Sequence, residues 1–85
     1  MSTVYIMPVL LQQRAARDPD GLLIQDVRGP TITNAAFHEG ALRVAGALAG
    51  LGVRPGDCVV TLNDPRIEAH LAWIGICWLG ALEVP

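Results

Sequence analysis

The sequence predicts an α/β fold, and three features of its 85 residues carry that prediction. Apolar residues recur at helical spacing in two segments, one from Asn34 to about Leu51 and one following Pro65. Between them, Cys58-Val59-Val60-Thr61-Leu62 is a mostly apolar run of strand length, which suits a parallel strand buried on both faces. Breaks rich in Gly and Pro separate these segments. The order is therefore a helix, a short β-hairpin and then βαβαβ-like parallel strands with right-handed crossovers.

The first helix runs from Pro8 to Arg17, with Pro near its start, where the missing N–H costs nothing, and Arg in the last turn. Asp18-Pro19-Asp20-Gly21 stops it. Leu22 to Val27 and Thr31-Ile32-Thr33 are β-prone pieces flanking the turn signal Arg28-Gly29-Pro30, which together make a hairpin. Thr33 or Asn34 caps the next helix, whose stripe is Phe37, Ala41, Val44, Ala45 and Leu48, with Glu39 and Arg43 paired on another face. Its small residues Ala45, Gly46, Ala49 and Gly50 predict close approach of a neighbouring backbone. Gly50 and Gly52 are suited to end the helix, and Arg54-Pro55-Gly56-Asp57 forms a type II turn. After the apolar strand, Asn63-Asp64-Pro65 supplies a cap acid and a Pro for a third helix with Ile67, Leu71, Ile74 and Trp78 on one stripe. That helix ends near Gly80, and Ala81 to Pro85 begins another strand. Val59, Val60 and Leu62 are thus expected on a central strand, with Val44, Leu48, Leu71 and Ile74 packing onto the sheet.

Composition bounds the chemistry. A chain of this length makes one small domain, since domains mostly span about 50 to 250 residues. With Ser2 as its one serine and no lysine, the chain excludes a Walker phosphate loop, a Schiff-base lysine and an internal serine nucleophile. Hydrophobic residues make up 52% and charged ones 16%, against about 25% charged in an average domain. So apolar a small chain is expected to have part of its surface covered, by more polypeptide or by a partner. The net charge is -2 and the six basic residues, all Arg, are scattered, so no nucleic-acid footprint exists. Cys58 and Cys77 have neither metal-ligand nor disulfide-framework spacing and are expected to be small buried hydrophobes in a reducing cytoplasm. No signal peptide is read at the start. Gly46 and Gly50 have GxxxG spacing, but their surroundings are too polar for a span, and no transmembrane segment is expected.

His38 and His70 are the only side chains that ordinarily titrate near neutrality, and they lie on different helices without an orienting acid. Glu39 and Glu68 are their sequence neighbours but point elsewhere, so a surface or interface role is expected for both histidines. Trp73 and Trp78, five apart, are expected to pack rather than to stack a ligand. Asp57 should bind local backbone amides, and Asp64 should cap a helix. The glycines lack the spacing of a phosphate cradle. No catalytic, cofactor-binding or metal-binding residue is therefore expected in these 85 positions.

Leu48-Ala49-Gly50-Leu51-Gly52-Val53-Arg54-Pro55-Gly56-Asp57-Cys58-Val59, then Asn63, Trp73-Ile74-Gly75 and Gly80-Ala81-Leu82-Glu83-Val84-Pro85, resemble the amino-terminal region of acyl-CoA synthetases. These belong to the adenylate-forming, AMP-binding superfamily, which also includes luciferases and peptide-synthetase adenylation domains. The resemblance spans nearly the whole chain and departs from the family at Asn34-Ala35-Ala36-Phe37 and at Asp64. It implies that residues 1–85 are the N-terminal part of a large domain, with no second domain. It further implies a cytoplasmic parent enzyme, active in fatty-acid or other carboxylate metabolism. That parent would use ATP and Mg²⁺ to make an acyl-adenylate from a small-molecule carboxylate and pass the acyl group to coenzyme A.

The family's phosphate loop, ribose-binding acid and carboxy-terminal lysine have no match here. The chain alone is thus expected to be inactive and to bind none of these cofactors. Its expected partner is the remainder of the parent polypeptide or a second copy of itself, because a last strand without cover recruits other chains. By the same reasoning, the isolated chain is expected either to have a radius above that of a compact monomer or to pack its strands or its Trp-bearing helix against a second copy. A short non-catalytic adapter built on the same fold is the alternative. A membrane-associated peptide built on Leu71 to Leu82 is a weaker one, since those twelve residues fit a buried helix and strand better than a span.

Overall fold

The computed structural model describes residues 6–61 and 66–84. Seven elements follow in order: α1 (Ile6–Arg17), β1 (Leu22–Gln25), β2 (Thr31–Thr33), α2 (Asn34–Gly50), β3 (Cys58–Val60), α3 (Ile67–Trp78) and β4 (Leu82–Val84). The α/β class, the opening helix and the hairpin agree with the sequence reading. Leu62 and the expected cap Asn63-Asp64-Pro65 lie outside the described residues.

The parallel part is smaller than the alternation predicts. β1 pairs with β2 in an antiparallel hairpin, and β3 pairs with β4 in a separate parallel sheet, Cys58 opposite Leu82 and Val60 opposite Val84. A single βαβ unit, β3–α3–β4, is therefore closed. β2 is not paired with β3, so the two sheets stay separate.

Helix ends follow from local chemistry. The Thr33 hydroxyl accepts from the Ala36 amide at 3.2 Å, capping α2. Replacing Thr33 with Ala should cost about 1 kcal/mol in urea unfolding, and no change in midpoint would remove the cap from the account. Both α2 and α3 end the same way. The amides of Gly52 and Val53 bond the carbonyls of Ala49 and Leu48, and those of Gly80 and Ala81 bond those of Cys77 and Ile76. These are Schellman ends, and they require the left-handed backbone that Gly52 (φ 98°) and Gly80 (φ 72°) supply. The Arg54–Asp57 turn closes as expected: the Asp57 amide reaches the Arg54 carbonyl and the Asp57 carboxylate accepts from the Arg54 amide at 2.8 Å. The Gly56 amide then bonds the Gly80 carbonyl, tying this turn to the end of α3.

The core lies between the helices. Phe37 and Ala41 of α2 meet Ile74 of α3, with Leu11, Leu23 and Trp78 packed around them. α2 and α3 pack chiefly on each other, not on the β3–β4 sheet as expected. Their close approach is made at Gly75, which sits over Val44 and the Ala41 carbonyl, and at Gly40 against Leu71. Of the four small residues expected at a close contact, Ala45 is buried and Ala49 is exposed, while Gly46 and Gly50 face open space.

Ile74 is buried as predicted, while Val44, Leu48 and Leu71 are half-buried. The β3–β4 strands are not covered on both faces: Val60 is 71% exposed, and Cys58, Leu82 and Val84 are exposed beside it. An apolar run sets strand propensity, but burial needs a second layer, and none of the described elements provides one on that face. The Cα radius of gyration of the single chain, 12.7 Å, is close to the roughly 12 Å of a compact chain of this length.

Candidate functional site

A cluster of charged side chains shares a cavity where the hairpin turn meets the start of α3. At the turn, Asp26 and Arg28 are locked together. The Arg28 amide and Nε both donate to Oδ1, at 2.9 and 3.1 Å, and Nη2 donates to Oδ2 at 3.0 Å. The Asp26 amide closes the loop onto the Pro30 carbonyl. Gly29 takes the left-handed conformation (φ 111°) that lets the turn reverse.

The Arg28 hydrogen bonds hold the Asp26 carboxyl below the usual carboxylate range, and the Arg28 guanidinium is correspondingly raised. A depressed carboxyl stabilises the folded turn above its unfolded pKa. That contribution is lost as pH falls through the lower, folded value.

Across a cavity of about 390 Å³ from this pair stand Arg66, Ile67 and His70. A second cavity, of about 250 Å³, adjoins it and is apolar, with Met7, Leu11, Leu23, Phe37 and Trp73 in its walls. Ile24 and His70 line both. His70 is exposed, as expected of a surface histidine. His38 is half-buried with its ring 6.0 Å from that of Trp78, so it serves packing between α2 and α3. Trp73 was expected to pack and is instead partly open to solvent in the apolar cavity wall.

The cysteines split. Cys77 is half-buried and its thiol is pushed up by burial, with a smaller contribution from Glu83, which makes it a poor nucleophile at neutral pH. Cys58 is exposed on β3, contrary to the burial expected of it, because it lies on the uncovered sheet face. Asp57 is spent on its turn. Among the described residues no three His, Cys, Asp or Glu side chains cluster at metal-binding distance. No helix among them is long and apolar enough to cross a membrane. The polar cavity was not legible in the sequence, since Asp26 and His70 come to line one cavity only through tertiary packing.

The described elements form an α/β unit, a hairpin leading into one βαβ crossover, and the sequence fits one family. The profile of the AMP-binding enzymes matches residues 11–85, and the chain belongs to that family. It is 41% identical over 76 residues to the pyochelin synthetase PchE of Pseudomonas aeruginosa, covering 88% of this chain and 5% of that protein. Among solved structures, a fatty acyl CoA synthetase from Mycobacterium tuberculosis superposes with a TM-score of 0.84 at 30% identity, over 93% of this chain and 16% of that one. The N-terminal domain of FACL13 from the same organism gives 0.86 at 29% identity, over all of this chain and 21% of that one. The chain therefore spans a small part of the length of its relatives.

Proposed function

We propose that the chain is the opening scaffold of the large domain of an adenylate-forming enzyme, and that the parent is an acyl-CoA ligase acting in the cytoplasm. In this reading the parent activates a small-molecule carboxylate as its acyl-adenylate and passes the acyl group to the thiol of coenzyme A. The observation that carries it is the match in both sequence and backbone to a fatty acyl CoA synthetase, with 30% identity and a TM-score of 0.84.

The residues present do not fit the nucleotide or its Mg²⁺. They include no lysine, and the described ones hold no cluster of acids able to seat a divalent ion. Phosphoryl and adenylyl chemistry needs preorganised cations and donors around the developing charge. The contribution proposed for this chain is therefore structural: α2 and α3 form a packed base, and β3–β4 present a parallel edge. Peptide-synthetase adenylation is the second reading, favoured by the 41% identity to the pyochelin synthetase.

Two measurements test the proposal. The purified 85-residue chain should give no carboxylate-dependent exchange of pyrophosphate into ATP; a signal above background would place catalysis within it. A chimera carrying this chain in place of the matching segment of the Mycobacterium tuberculosis fatty acyl CoA synthetase should keep exchange activity within about tenfold of the parent, a loss of no more than about 1.4 kcal/mol. A folded but inactive chimera would overturn the scaffold reading.

A further inference from the structure

We draw no further inference here: the strongest candidate, the uncovered apolar face of the β3–β4 sheet at Val60, Leu82 and Val84, carries none because nothing in the structure shows what covers it.

Discussion

Replacing Phe37 with Ala should remove about 3 to 5 kcal/mol of stability, most of the margin of a domain this small. Phe37 is 2% exposed and is the largest side chain of the buried cluster, held between Ala41 and Ile74 with Leu11 and Leu23 closing the sides. Three helices and the hairpin meet on it, so no single element can shift to fill the space left behind. Residual cavity volume should therefore be large and the cost near the top of the range. Urea unfolding followed by far-UV circular dichroism reads it directly. A loss below about 1 kcal/mol would mean that the helices repack without this ring.

The second large effect has opposite signs at two glycines of similar sequence context. At Gly75 an added Cβ would stand 2.6 Å from Val44 Cγ1, 2.7 Å from its Cβ and 3.0 Å from the Ala41 carbonyl oxygen. A β-branched side chain at position 75 must push α3 away from α2, and the carbonyl cannot yield. Gly75→Val is expected to cost about 3 kcal/mol or more, above the usual range for overpacking. At Gly46 nothing lies within 4 Å, so Gly46→Ala should stabilise by about 0.5 to 1 kcal/mol through helix propensity alone. Val44→Ala combined with Gly75→Ala should recover part of the Gly75→Ala loss, because the two positions share one contact. Thermal melting of the four variants tests the set. Destabilisation at Gly46 as large as at Gly75 would mean that the helix interface has been put on the wrong face.

The glycine pair shows where the sequence was readable. In α2 the apolar positions form a stripe, and Phe37, Ala41 and Ala45 are buried on it as periodicity predicts. α3 is apolar on nearly every side, Ile67-Glu68-Ala69-His70-Leu71-Ala72-Trp73-Ile74-Gly75-Ile76, so periodicity could not say which face meets α2. The close contact falls at Gly75, which no stripe marks, whereas in the small-residue run at 45–50 Ala45 is buried and the two glycines face open space. Turn chemistry was local and so was legible: Thr33, Asp57, Gly52 and Gly80 each do what their residue type and neighbours require. Strand burial was not, because Val60 and Leu82 have the composition of covered strands whether or not a cover is present. The polar cavity was out of reach for the same reason. His70 and Asp26 are forty-odd residues apart, and only tertiary docking makes them neighbours.

The two sheets also differ in how far along the chain their partners lie, and this sets an order of events. Gln25 and Thr31 pair across a tight turn, a closure that takes microseconds. Cys58 and Leu82, twenty-four positions apart, pair only once α3 and its Schellman end have formed between them. The hairpin can therefore form early on local information, whereas the parallel pair must wait for α3 to dock, since the loop-closure entropy is spent before any strand contact returns it. On a ribosome the same asymmetry has a direction. Asp26 to Pro30 can lock while α2 is still being made, but β3 emerges about twenty residues before the strand that completes it, and for that interval its apolar edge is available to whatever else is nearby.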